Sequence, residues 1–207
     1  MRKPTAATWR QSRLWRGLCV AVALGATPLV AAAPPGAATR SAYACGVELW
    51  SLKMLSDPQR GLVNLHPRNT SVAAINALPR PYPTPRTRST VYERRTWRVR
   101  AQIVQFKLEE DSDIHLILFW GGRYTIAEMP FAGCLPRTTR DRRAIVAARV
   151  GFVRRCGFPT SDWQPLGAVA YVSGVGFWDV AHGQTGHARN YSELPVTAVR
   201  FLAGCGS

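Results

Sequence analysis

Between Trp97 and Pro130 the chain writes three strands and two turns in succession. Trp97, Val99, Ala101 and Ile103 alternate with Arg98, Arg100 and Gln102. A period of two marks a half-buried strand, predicted here over 97–107. The acid-rich run Glu109-Glu110-Asp111-Ser112-Asp113 follows and reads as a turn. A second strand is predicted over 114–119. Gly121-Gly122 then reverses the chain into a third strand over 123–127. The result is a meander with acidic side chains at one hairpin tip, and with Arg123 and Glu128 on the strand that follows.

The clearest helix is predicted over 140–156. Ile145, Ala148 and Phe152 fall at i, i+3 and i+7, and Arg142, Arg143, Arg149, Arg154 and Arg155 take the remaining surface. Gly157 and Pro159 stop it. A fourth strand is predicted over 169–175 and a fifth over 196–202, separated by a polar, Gly-rich loop over 176–187. Three strands, a helix and two strands give the element order of the OB-fold. The expected fold class is therefore all-β with one main helix: an OB-fold-like five-stranded barrel over 97–205 plus an N-terminal extension. That extension, 45–96, is expected to pack on the barrel. It holds a short apolar segment over 47–52 and a helix over 72–78 capped by Thr70 or Ser71. Pro alternates with Arg over 79–90, which reads as an extended surface connection.

The leader carries Arg2, Lys3, Arg10, Arg13 and Arg16, then a mostly apolar run ending in Ala31-Ala32-Ala33. This order predicts a signal peptide over 1–33, a disordered linker over 34–44, and a secreted or periplasmic location. No later segment is apolar and long enough to span a bilayer as a helix. The net charge is +15, and the leader accounts for five of its basic residues and no acidic ones, leaving about +10. Such a balance favours an anionic polymer as partner, either nucleic acid or an envelope polyanion; solubility alone is the other reading. Cys19 lies in the leader, and Cys45, Cys134, Cys156 and Cys205 remain. An even count in an exported chain predicts two disulfides. Of the three connectivities, the pairing 45–205 with 134–156 is favoured, because the first pair brackets the domain and the second flanks the helix. No Cys-x-x-Cys pair is present to suggest a cysteine-held zinc.

Asp111, Asp113 and Glu128 are candidate ligands for a hard cation such as Ca2+, or else a solvated turn. His115 stands between Ile114 and Leu116. It lies on the outer face if those two face the core, or else is a buried structural histidine. Asp179 and His182 are a candidate acid–base pair in the Gly-rich loop, where Gln184 and His187 also lie. Hydrogen bonding within the loop is the alternative role. Phe177, Trp178, Tyr124 and Trp120 offer stacking surfaces if exposed, and core packing if not. No Gly-x-Ser-x-Gly elbow, P-loop or Cys–His pattern occurs.

Residues 104–130 resemble the core of the staphylococcal-nuclease-like OB-fold family. Asp111-Ser112-Asp113-Ile114 stands at that family's Asp-Gly-Asp-Thr turn, and Arg123, Glu128 and Pro130 keep the spacing of its third strand. The resemblance implies Asp113 and Glu128 as calcium ligands and Arg123 as a phosphate contact. Phe131 stands where the family has its catalytic Glu, and no Asp-x-x-Gly-Arg follows the helix. A second resemblance covers 45–202 and is to a family of uncharacterised exported bacterial proteins. It rests on Trp50, Lys53 and Asp57, on Asp111, Asp113, Ile114, His115 and Leu116, and on the loop Gly174 to Asp179 with His182, Gly183 and Gln184. Glu193-Leu194-Pro195 departs from its acidic-His-Pro strand. The expected function is binding of an anionic or polar ligand outside the cytoplasm, non-catalytically. The alternative is a metal-dependent phosphodiesterase using Arg123, Glu128, Asp179 and His182. His115, Tyr124, Phe177, Trp178 and Gln184 are the expected ligand contacts.

Overall fold

The computed structural model describes residues 44–205. The predicted signal peptide, Cys19 and the linker up to residue 43 lie outside the described residues. Strand β1 spans Asn64–Thr70, β2 Arg95–Leu108, β3 Ile114–Trp120, β4 Arg123–Met129, β5 Gln164–Val175, β6 Phe177–Trp178 and β7 Ser192–Ala203. Helices are α1, Trp50–Lys53, α2, Val72–Asn76, and α3, Arg142–Cys156.

The barrel closes in the order β2-β3-β4-β7-β5 and back to β2. All its pairings are antiparallel except β4 with β7, which is parallel. With α3 inserted between the third and fourth barrel strands, this is the OB-fold. Strand β2 pairs with β3 on one side and β5 on the other, and both registers shift between Ile103 and Gln105. A bulge of this kind bends its strand and sharpens the twist, which lets one strand serve both walls of a small barrel. The alternation read in the sequence is realised: Val99, Ala101 and Ile103 are buried with Ile114, Leu116, Leu118, Ala127, Met129, Ala170, Val172 and Val196. Ala148 and Phe152 of α3 join this core, with Phe152 edge-on to Phe106 at 5.1 Å. Ser71 caps α2 by accepting from the Ala74 N–H at 3.0 Å.

Three elements depart from the sequence reading. Strand β1 adds a parallel edge to β2 where none was predicted. Pro67 lies within it, and proline is tolerated on an edge because no donor is needed on the open side. Strand β6 forms inside the predicted loop, where Phe177 and Trp178 pair with Glu193 and Ser192. The disulfides are Cys45–Cys134 and Cys156–Cys205, not 45–205 with 134–156. Cys134 ends the turn Ala132–Cys134 that follows β4, and Cys156 is the last residue of α3, a helix of 15 residues and roughly 22 Å. Cys156 at its C-terminal end instead meets the end of β7, and Cys134 meets the start of the N-terminal segment.

Two arginines hold that N-terminal segment in place. Arg88 is buried, donates to Asp57 Oδ2 from Nε (3.1 Å) and Nη2 (2.8 Å), and reaches the carbonyls of Leu52 (2.7 Å) and Glu93 (2.9 Å). Arg140 Nη1 donates to the carbonyls of Arg60, Gly61 and Val63 at 2.7, 3.0 and 2.7 Å. Both add side-chain donors to the carbonyls of the short turns that carry this segment.

Arg88→Ala is expected to cost about 3–5 kcal/mol in urea unfolding, because it strands the buried Asp57 carboxylate. Peptide mapping without reductant is expected to yield the linked pairs 45–134 and 156–205. A 45–205 link would contradict the fold described here.

Candidate functional site

In an OB barrel the outer face of the second and third strands lies between two loops, one joining the first two strands and one joining the last two. Here those strands are β3 and β4. The first loop is the acidic turn at 109–113, and the second runs from residue 176 to 191. Because Ile114 and Leu116 face the core, His115 points outward, beside its register partner Glu128. Glu128 in turn pairs with Pro195 of the parallel strand β7, so Glu193, two residues earlier, falls on the same face. This outer face is not solvated. The long loop sits against it, and a Cβ on Gly186, at φ +81°, would come 2.7 Å from Ile117 Cγ2. Helix α1 completes the roof and brings Lys53 to Glu128 as an ion pair.

Lys53, Glu109, Asp111, Asp179, His182 and Gln184 line one polar cleft of about 180 Å³, and the buried His115, Glu128 and Glu193 contact those lining residues from within the protein. His115 Nδ1 lies 3.1 Å from Glu109 Oε1 and 3.9 Å from Glu128 Oε1. Its Nε2 lies 3.2 Å from the Thr185 carbonyl. Gln184, with its amide turned to suit its neighbours, donates to Asp179 Oδ2 (3.1 Å) and Glu193 Oε1 (2.9 Å) and accepts from His182 Nε2 (3.0 Å). His182 Nδ1 lies 3.4 Å from Asp179 Oδ2 and 2.6 Å from the Val180 carbonyl.

Carboxylates outnumber ammonium groups here, and the ionisation of each shows it. Burial pushes Glu193 well up, and the charges of Glu128 and Asp179 push it further. Burial and then Glu128 push Asp113 well up. Burial also raises Glu128, against the pull of Lys53. Burial raises Asp179 in the same way, with Lys53 and His182 opposing. Burial works to lower the Lys53 ammonium, but Glu128, Glu193 and Asp113 outweigh it and hold the group above its ordinary value. Glu109 is likewise pushed up by burial, yet its hydrogen bond and charge contact with His115 bring it below the usual range.

The sequence candidates divide accordingly. Asp113, His115, Glu128, Asp179, His182 and Gln184 come together. Asp111 lines the cleft and accepts from the Asp113 N–H at 3.1 Å, while Asp113 Oδ1 accepts from the Phe131 N–H at 3.0 Å. Among the described residues the donors within 4.8 Å of one another are Glu109, His115 and Glu128. That set includes a nitrogen and neither Asp111 nor Asp113, which does not suit the all-oxygen shell of calcium. Arg123 is exposed at the far end of β4, five residues from Glu128, and an odd separation puts it on the opposite face. Phe177 and Trp178 are buried at 3% and 2% exposure, so they are core residues and offer no stacking surface. Trp178 packs 4.8 Å from Tyr92 and donates from Nε1 to Thr90 Oγ1 at 3.1 Å. Tyr124 is 46% exposed, beside Gly186. His187 stacks on Tyr191 at 4.6 Å, away from the acids. The sequence reading gave no role to Lys53, Glu109 or Glu193. The signal for Glu193 was an acid inside an apolar strand, and for Lys53 its place three residues after Trp50.

A second feature lies around the barrel. Arg100, Tyr171 and Arg200 are register neighbours across β2, β5 and β7, all on the outer face. Arg100 stands over the Trp120 ring at 4.8 Å and Arg200 over the Tyr171 ring at 4.9 Å. Six of the twelve acidic residues, Asp57, Glu93, Asp113, Glu128, Asp179 and Glu193, are buried, whereas Arg88 is the one buried residue among the described basic ones.

No family model matches the chain, and no curated protein matches it. Among solved structures it is similar to a putative aspartyl-tRNA synthetase from Leishmania major Friedlin, at 14% identity and a TM-score of 0.40. The match covers 66% of this chain and 21% of that one.

The acid cluster makes stability depend on pH. An acid whose folded pKa is raised contributes stability while protonated and loses it as pH rises from its unfolded value, about 4.3 for Glu, through the folded one. Glu193→Gln is therefore expected to stabilise the protein at pH 7–8 by roughly 1–3 kcal/mol. The gain should vanish near pH 4, as measured by urea midpoints across that range. An equal gain at pH 4 would show that the charge of Glu193 is not its cause.

Proposed function

We propose that this is an exported binding protein that holds an anionic polymer on the arginine–aromatic row of its OB barrel. The partition of charge carries this reading. Half of the acidic residues are buried, whereas of the described arginines only Arg88 is, so the surface is more positive than the composition implies. Guanidinium groups stacked on aromatic rings are held in position at little entropic cost, and they keep their outer edges for phosphate or carboxylate oxygens. The row Arg100–Tyr171–Arg200 spans two strand spacings, roughly 10 Å, enough to follow successive charges along a chain. Two disulfides fit an oxidising extracellular or periplasmic compartment. Among the described residues no helix is long and apolar enough to cross a membrane. The motifs shared with the exported bacterial family support the same location.

A metal-dependent phosphodiesterase is the second reading, favoured by the gathering of Glu128, Asp179 and His182 at one cleft. It ranks lower because a phosphate in that cleft would meet an excess of carboxylates, with Arg123 on the other face of β4.

Binding of a labelled single-stranded oligonucleotide and of polyphosphate is expected to weaken steeply with salt. Arg100→Ala and Arg200→Ala are each expected to lower the slope of log K against log salt by roughly 1. An unchanged slope in both variants would remove the row from the interface. Metal-dependent cleavage of the oligonucleotide that is lost in Glu128→Gln would promote the phosphodiesterase.

A further inference from the structure

His115 poses a problem of hydrogen-bond direction. A backbone carbonyl only accepts, so Nε2, 3.2 Å from the Thr185 oxygen, carries a ring proton and donates it. Nδ1 then faces Glu109 Oε1 at 3.1 Å and Glu128 Oε1 at 3.9 Å. Three atoms that all carry lone pairs converge within 4.8 Å of one another. Lys107 Nζ stands 3.6 Å from Glu109 Oε1, and the space between the three atoms themselves suits either a second proton on the ring or a metal ion. Glu128 Oε1 adds an independent observation. It is fully buried and has no hydrogen-bond partner among the described residues, because Lys53 takes the other oxygen. A carboxylate oxygen left bare in the interior and aimed at an imidazole nitrogen is costly unless a cation completes it.

We infer that Glu109 Oε1, His115 Nδ1 and Glu128 Oε1 form a three-ligand site for a divalent transition metal of the zinc class, open at its fourth position to the cleft. Size supports this. Bonds of about 2.1 Å in a tetrahedron place ligand atoms roughly 3.4 Å apart; the separations of 3.1 and 3.9 Å to His115 bracket that value, and the two carboxylate oxygens, which lie within 4.8 Å, draw together on binding. The Thr185 carbonyl on Nε2 is the partner that a metal-binding histidine needs to fix its tautomer and aim its other nitrogen. The donor set of one imidazole and two carboxylates suits zinc or manganese better than calcium. Glu109 lines the cleft, so the vacant position on the ion would face Asp179, His182 and Gln184 across it. This site is separate from the arginine row, and neither reading depends on the other.

The test uses the full disulfide-bonded protein, freed of metal by a chelator and titrated with Zn2+, Ca2+ and Co2+. One equivalent of Zn2+ is expected to bind, with Co2+ giving the intense visible bands of a four-coordinate N/O site. Glu109→Gln and His115→Gln are each expected to weaken Zn2+ binding by roughly 10²-fold. Glu109→Gln is the safer variant because its side chain is part-exposed at the turn. Circular dichroism of that variant confirms that the barrel is intact. Glu110→Gln, next along the same turn, is expected to leave the affinity unchanged. Three results would overturn the inference. The first is no Zn2+ or Co2+ binding, which means that a proton on His115 fills the gap. The second is stoichiometric binding that survives both Glu109→Gln and His115→Gln. The third is binding of Ca2+ in preference to Zn2+.

Discussion

The ion pair between Lys53 and Glu128 is the constraint around which the rest of this structure is arranged. It joins the one segment that precedes the barrel to the end of barrel strand β4, in a setting where further carboxylates crowd the same space. A lone buried carboxylate costs several kcal/mol, and a buried pair is tolerated only when its remaining atoms find partners. Much of the surrounding architecture supplies those partners or holds them in place. Arg88 and Arg140 pin the segment that carries Lys53, and Cys45–Cys134 fastens its beginning beside the end of β4. The loop over 176–191 delivers Gln184 to Asp179 and Glu193. The roof is thus a polar structure held by arginines and one covalent bond, set on an apolar barrel.

The barrel was legible in the sequence because its strands obey a period of two and its helix a period of 3.6. Ile145, Ala148 and Phe152 were placed inward by spacing alone, and all three are buried. The elements that escaped prediction lack such a period. Strand β1, Asn-Leu-His-Pro-Arg-Asn-Thr, is held only by pairing with β2 along one edge and buries little. Phe177 and Trp178 stood in a stretch rich in glycine, which hid their pairing with β7. The site was half legible. Asp113, His115, Glu128, Asp179, His182 and Gln184 announced themselves as polar groups in motifs. Their convergence could not be read, because it depends on a parallel contact between β4 and β7 and on a roof with no sequence periodicity. Lys53 is marked in the sequence only by its spacing from Trp50, and Glu193 only by being an acid in an apolar strand, and neither signal says which carboxylates or cation it meets.

The same arrangement explains how one chain can be strongly basic and yet hold an acidic interior. Acids that serve the fold are drawn inward, and several of the arginines that remain outside rest on aromatic rings, as Arg100 does on Trp120 and Arg200 on Tyr171. The two charge regions occupy different strands of one barrel. The acidic face lies on β3, β4 and the start of β7, and the basic row runs over β2, β5 and the later part of β7.

The parallel seam has a bearing on the order of assembly. Only Ile126–Glu193, Ala127–Leu194 and Glu128–Pro195 pair across it, whereas the β2–β5 contact runs along ten pairs. The meander and the β5–β7 pair can each form from nearby chain, but this seam, like the β2–β5 ladder, joins residues distant in sequence and pays loop closure first, with only three pairs to offset it. It also brings Glu128 and Glu193 together for the first time. Forming this seam and gathering the like charges are therefore a single step, and the shortest ladder of the closed barrel is the one that brings two buried acids together. Native-state amide exchange at 126–128 and 193–195 would show whether the molecule opens there before it unfolds as a whole.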